Sequence, residues 1–276
     1  MNEFLQAVFG PEPAHTLMAA LLGANVTGGL AVAGVALARI PARREFGPAT
    51  AGQLWLIPPV AAFATLLVLL LPRQDAVGSI AAATAARLPQ LGPVATVWAI
   101  GAIGLAVLFA LAQARFLAEV RAGRGGPAVV GLISPRIVMP SDDGYSSEER
   151  ELIRAHERAH VARKDPRAAA LAAAFQCLCW FNPLAHLAAY LLRLDQELAC
   201  DAAVVMSRPG SRALYAKTLL KTQLAATPLP FGCYWTPRGQ HPLEVRIGLL
   251  KRGAEKGPRR PPGVVVVLAS VDAIRP

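Results

Sequence analysis

Charge is what this sequence has least of. Only 17% of its 276 residues are Asp, Glu, Lys or Arg, while 54% are hydrophobic. Soluble domains carry about 25% charged residues, so a wholly water-exposed protein is not expected and part of the chain should face lipid. Acidic residues are the scarcer sign: 28 Lys and Arg stand against 18 Asp and Glu, a net charge of +10. Residues 115–262 hold 22 Lys/Arg and 13 Asp/Glu, which is +9 of that +10. No helix-turn-helix, finger or base-stacking pattern accompanies this excess, so direct nucleic-acid binding is not expected. Attraction to an anionic cytoplasmic leaflet is the better reading. Cysteine is also rare. Cys177, Cys179, Cys200 and Cys233 lie in apolar or helical contexts without paired CxxC spacing. They read as small buried hydrophobes in a reducing compartment, and the Cys177–Cys179 pair is a weak metal signal.

What is present in abundance is apolar sequence in long runs. Residues 16–38, 51–71 and 93–114 are each long and uncharged enough to cross a bilayer, which takes roughly 20 apolar residues. Pro58-Pro59 should kink the second run. The first run follows a segment with Glu3 and Glu12 and no Lys or Arg through residue 14, unlike the basic start of a secretory signal, so a retained helix is expected. Basic residues in short loops set orientation. Arg39, Arg43 and Arg44 follow the first span, Arg73 and Arg87 the second, and Arg115, Arg121 and Arg124 the third. The third segment opens the basic region and places the N-terminus outside and residues beyond about 115 in the cytoplasm.

Beyond the spans, PAVVGLISPRIVMP (127–140) reads as two short strands joined by a tight turn at Gly131 and Pro135. Ser146 with Glu149 three residues on forms a capping box, so a helix should begin near Ser147 and stop at Asp165-Pro166. Within it lies His156-Glu157-x-x-His160. One helical turn puts both imidazoles on one face. They can share a tetrahedral ion, and Glu157 beside them can reach the ion's water.

Such a site needs a third protein ligand. Residues 168–192 contain no charge and, unbroken, would cross the membrane and carry Glu197 and Asp201 to the wrong side. Asn182-Pro183 breaks the run into arms of about 166–181 and 183–197. An antiparallel hairpin of these arms, each roughly 22 Å long, returns Glu197 to the level of the paired histidines. Glu197 then completes a His-His-Glu set. Asp201, one turn on, suits an acceptor that orients a ligand imidazole. The surrounding Arg163, Lys164, Asp165 and Arg167 read as a solvated helix end or lipid-facing patch.

Five stretches now add a resemblance: GLISPRIVMP (131–140), HERAHVARKDP (156–166), WFNPL (180–184), LDQELACDAAV (194–204) and HPLEVRIGLL (241–250). In this order they resemble the BlaR/MecR-type membrane metallopeptidases over about residues 129–250, and the three preceding spans match that family's layout. The resemblance implies a mainly α fold: three transmembrane helices (1–117), then a cytoplasmic zincin-like α+β peptidase domain with a small β-hairpin and an apolar helical hairpin (118–250), then a basic tail (251–276). It implies Zn2+ held by His156, His160 and Glu197, with Glu157 as catalytic acid/base. It also implies a multi-pass cell-membrane protein of a signalling system, whose protein substrate is a winged-helix transcriptional repressor. The family's β-lactam sensors add a further span and an extracellular penicillin-binding domain; GVVVVLAS (263–270) is too short to span and no Ser-x-x-Lys occurs, so that sensor is expected to be lacking.

Tyr215 and His186 are candidate oxyanion donors, although packing explains Tyr215, and an interior histidine His186, at least as well. A strand within 128–139 could pair with substrate, a structural hairpin being the alternative. Rival readings are a quality-control or prenyl-protein-type HExxH protease and a non-catalytic membrane sensor or scaffold. Homo-oligomer formation stays open.

Overall fold

A computed structural model describes residues 13–71, 92–123, 126–139, 144–225 and 242–252. The second loop with Arg73, Asp75 and Arg87, the cysteine Cys233, and the assigned basic tail after residue 252 lie outside the described residues. The chain is mostly helical. Helix α1 spans Pro13–Phe46, α2 Pro48–Leu54, α3 Ile57–Leu70 and α4 Gly92–Arg121. After them come β1 (Ala128–Val130) and β2 (Arg136–Val138), then α5 (Ser147–Ala162), α6 (Asp165–Leu178), α7 (Pro183–Ser207), α8 (Arg212–Ala225) and α9 (Pro242–Arg252).

Among the described residues, three stretches are long and apolar enough to cross a membrane: Thr16–Phe46, Pro48–Leu70 and Pro93–Arg121. They are the three runs read from the sequence, the first and third continuing further at their C-terminal ends and the second starting three residues earlier. The second is divided: α2 closes at Trp55 and α3 restarts at Ile57, with the prolines inside the first turn of α3. A proline there forfeits no hydrogen bond because first-turn N–H groups have no intrahelical acceptor. Gly47, at φ 92°, allows the break between α1 and α2.

The two strands pair antiparallel, Val129 opposite Ile137. Gly131 (φ 104°) makes the turn, and a Cβ there would lie 2.7 Å from the Ser134 carbonyl oxygen, so only glycine fits. Helix α5 starts as its capping box demands: Ser146 Oγ accepts the Glu149 N–H at 3.2 Å, and Glu149 Oε2 accepts the Ser146 N–H at 2.8 Å. Lys221 of α8 ties this cap down, donating to Glu149 Oε2 at 3.0 Å and lying 4.6 Å from the Tyr145 ring centroid. The backbone N–H of Ser146 and the Lys221 ammonium together hold the Glu149 carboxyl below its usual range.

Helix α5 ends two residues short of the expected point. Lys164 adopts the left-handed conformation (φ 59°), and Asp165-Pro166 open α6 instead of forming a loop. Helices α6 and α7 form the expected hairpin, with Asn182 capping α7 through Leu184 N–H (3.0 Å). The second arm runs on to Ser207, so Glu197 and Asp201 are mid-helix.

The hairpin packs directly on the spans. One apolar cluster joins Leu21, Ala24, Val32 and Val35 of α1 and Ala62 of α3 to Phe175, Leu178, Ala185 and Leu192 of the hairpin. Close approach depends on small residues, as between membrane helices generally. A Cβ on Gly28 would lie 2.8 Å from the Phe175 ring, and one on Gly101 of α4 would overlap Trp180. Asn182 Nδ2 meets the Asn25 carbonyl at 3.5 Å, while Asp195 meets Arg39 at 2.9 Å. From 182 to 195 is 13 residues and from 25 to 39 is 14, so α7 climbs beside α1 in step with it. A second cluster, Leu152, Val204, Val205, Tyr215, Leu219 and Leu250, packs α5 and α7 against α8 and α9.

Candidate metal centre

Two helices supply the grouped side chains. Helix α5 presents His156 and His160 one turn apart, and their Nε2 atoms stand 3.1 Å from each other. Glu197 comes from α7, with Oε2 3.3 Å from His156 Nε2 and Oε1 3.7 Å from His160 Nε2. The hairpin therefore brings together the three side chains that the sequence reading grouped. A tetrahedral zinc ion has ligand bonds of about 2.0–2.2 Å, and hence ligand atoms about 3.3–3.6 Å apart. The observed separations of 3.1, 3.3 and 3.7 Å, the last two to different oxygens of Glu197, bracket that spacing.

The hydrogen bonds behind the two imidazoles fix which ring nitrogen faces Glu197. His160 Nδ1 is 2.8 Å from Asp165 Oδ2, a carboxylate that can only accept, so Nδ1 carries a proton, and in the neutral ring Nε2 is left with the lone pair. His156 Nδ1 is 2.8 Å from the Tyr215 hydroxyl. That hydroxyl donates to Asp201 Oδ1 at 2.6 Å and therefore accepts from His156. Again Nε2 is left with a lone pair. Two lone pairs and a carboxylate facing one another cannot satisfy each other without a shared cation. The donor set fits a metal ion on this ground.

The electrostatics show that this position attracts positive charge. Burial works against charge on His160, yet Asp165, the Cys200 thiol and Glu197 favour a cation there, leaving it well above the ordinary imidazole value. Burial raises the Glu197 carboxyl, but Arg246 and the two imidazoles outweigh it and hold the group well below the carboxylate range. Glu157 is different: burial pushes its carboxyl up, opposed by His156 and His160. A raised carboxyl beside a metal set is a suitable proton carrier.

Arg246 of α9 is the residue that sequence reasoning missed. Its guanidinium grips Asp201 with Nε and Nη2, both at 2.8 Å, and reaches Glu197 Oε2 with Nη1 at 2.8 Å. A signal existed: Leu243, Ile247 and Leu250 share the inward face of α9, and Arg246 interrupts it, buried to 4% exposure. A buried arginine among apolar residues calls for carboxylate partners.

Asp165 corrects the sequence reading. Read as part of a solvated helix end, it is buried and holds His160, because the left-handed Lys164 turns the chain back over α5. The Cys200 thiol points to the same carboxylate at 3.6 Å and is pushed up to about 11, chiefly by burial. Cys179 is buried in the span-facing core, and Cys177 is a free thiol. Asp201 stands 3.4 Å from His156 Nδ1, with the Tyr215 hydroxyl as the bridge.

Neither candidate oxyanion donor faces the metal triangle. Tyr215 lies on the Nδ1 side of His156, opposite the Nε2 edge that meets Glu197. His186 bonds Gln176 (3.0 Å) and the Trp180 carbonyl (2.8 Å) at the hairpin corner. Each fits the packing alternative weighed beside it.

The fold has helices long and apolar enough to cross a membrane, and the site groups the two histidines of an HExxH sequence with a glutamate in an arrangement that could hold a metal ion. Comparison with known proteins narrows this. Residues 119–250 match the family described as BlaR1 peptidase M56, so this part of the chain is similar to BlaR/MecR-type peptidases. The Regulatory protein BlaR1 of Bacillus licheniformis is 30% identical over 97 residues, which cover 34% of this chain and 16% of that protein. No solved structure matches.

Proposed function

We propose that this chain is a membrane-bound zinc endopeptidase of a signalling system, which inactivates a cytoplasmic transcriptional repressor by cutting one of its peptide bonds. The facing lone pairs of His156 and His160, closed by Glu197, carry the reading. His156, His160 and Glu197 would hold the ion. Zinc supplies polarisation of the scissile carbonyl and a water acidified toward neutral pH.

The chain's own residues do the rest. Glu157 takes the water's proton and later delivers it to the leaving amine; its raised carboxyl suits both transfers. Asp165 and the Tyr215–Asp201 pair keep both imidazoles in the tautomer that presents Nε2. Arg246 fixes the Glu197 carboxylate through one oxygen and leaves Oε1 toward His160.

The arginine-rich end of α1 meets the metal-bearing end of α7, and short basic loops face the cytoplasm. This supports a multi-pass cell-membrane protein with its peptidase centre at the inner surface, where a soluble repressor can reach it. The test is incubation of the purified full chain with a small winged-helix repressor encoded beside it. Wild type should cleave it and Glu157→Ala should not, although both hold zinc. Equal cleavage by the two proteins would refute the assignment.

A further inference from the structure

One buried carboxylate takes no part in the chemistry above. Asp195, two positions before Glu197 on α7, is completely buried. It accepts Arg39 Nε at 2.9 Å and Nη2 at 3.1 Å, and the Trp55 indole N–H at 2.8 Å, with Arg43 Nη1 3.5 Å away. Every one of these donors belongs to the first two membrane-spanning stretches; the acceptor belongs to the helix that carries the third metal ligand.

A second brace comes from the same membrane segment. Gly52 of α2 packs so tightly that a Cβ would lie 2.8 Å from Arg163 Nη2 and 3.8 Å from the Asp195 carbonyl. Arg163 Nε is 3.4 Å from Asp165 Oδ2, the oxygen that holds His160. The stretch from Arg39 to Trp55 therefore backs both α7 and the Asp165–His160 side of the site. On the opposite flank of Glu197, Asp201 is fixed by Arg246 and Tyr215.

Buried ion pairs are weak ground for stability, because desolvation offsets much of their attraction. A forked guanidinium on a carboxylate does fix relative position. Between Asp195 and Asp201, Glu197 meets Arg246 and the Cys200 thiol points to Asp165, while Leu198 and Ala199 pack as buried apolar side chains; Asp195 adds the link from this stretch to the membrane segments. Each residue on a helix subtends about 100°, so a small turn of α7 swings Glu197 out of a triangle that must hold to within about 0.5 Å.

We propose that Asp195, clamped by Arg39 and Trp55, is a positioning residue through which the first two membrane stretches hold Glu197 in place and set the affinity of the metal centre. Displacement of α1 along α7 then weakens the centre without touching a ligand. This rests on the zinc reading given above.

The experiment measures zinc affinity by chelator competition, and the absorption of the Co2+-substituted centre, on the full chain in lipid nanodiscs. The variants are Asp195→Asn, Arg39→Lys and Trp55→Phe. Trp98→Phe, which removes an indole bond to the Leu178 carbonyl at the other end of the hairpin, is the comparison. Asp195→Asn should bind zinc roughly ten-fold more weakly, at the lower end of the effect of groups bonded directly to ligands. Arg39→Lys and Trp55→Phe should lose several-fold, with shifted cobalt bands, while Trp98→Phe stays at the wild-type value. Should Asp195→Asn fail to fold, the two milder variants carry the test. Wild-type affinity and spectra in the clamp variants overturn the proposal, as does equal weakening in Trp98→Phe. Absence of zinc from wild type overturns the metal reading as well, and so is told apart from failure of the clamp alone.

Discussion

The two ends of the α6–α7 hairpin solve one problem, docking onto the spans, with opposite chemistry. At the corner, the links are neutral: Trp180 Nε1 donates to the Trp98 carbonyl at 3.1 Å, and Trp98 Nε1 to the Leu178 carbonyl at 3.0 Å. Glycines at 28 and 101 let aromatic rings approach the spans. At the end near Glu197, the link to the spans is ionic, Asp195 with Arg39 and Arg43 of α1, and Arg246 of α9 adds ion pairs to Asp201 and Glu197 beside it. Where lipid surrounds the protein, backbone groups must be satisfied without charge. Near the surface, charges can be gathered and used. The difference places chemistry at one end of the hairpin and shape at the other.

Substitutions at the two ends should therefore fail differently. The largest effect is expected from His156→Ala, or from chelation of the wild type: loss of bound zinc and of all peptide hydrolysis, read by metal analysis and a cleavage assay. Next, Asp165→Asn should weaken zinc binding about 10- to 100-fold, because it loosens the tautomer of His160; zinc titration measures it. At the corner, Gly101→Val forces a side chain into the Trp180 ring. It should cost about 1–3 kcal/mol of stability, seen as a lower thermal midpoint, with zinc affinity kept in the protein that remains folded. The smallest effect belongs to Trp180→Phe, which removes one indole bond and should cost about 0.5–1.5 kcal/mol without altering turnover. If Trp180→Phe weakened zinc as strongly as Asp165→Asn, the division between the ends would be wrong.

How much was legible in the sequence depended on whether a signal was local. The three apolar runs, the capping box at Ser146 and Glu149, and the Asn182-Pro183 corner each act through neighbours in the chain, and their elements stand where the sequence put them. The grouping of Glu197 with the histidines needed one further step, equal arm lengths, and the structure brings the three together. Asp165 was not legible, because its role depends on the left-handed Lys164 redirecting the chain, and lysine gives little warning of that conformation. Arg246 and the Asp195 clamp rest on contacts across 45 and 156 residues. Only an arginine on an apolar face and a lone acid between leucine and glutamine hinted at them.

The most direct measurement is X-ray absorption at the zinc edge on the purified full chain and on Glu197→Ala. Two imidazoles and a carboxylate oxygen near 2.0–2.2 Å, with the carboxylate lost in the variant, are the predicted result. An unchanged ligand set in Glu197→Ala, or a sulfur neighbour at about 2.3 Å marking the alternative His160–Asp165–Cys200 group, would contradict the account.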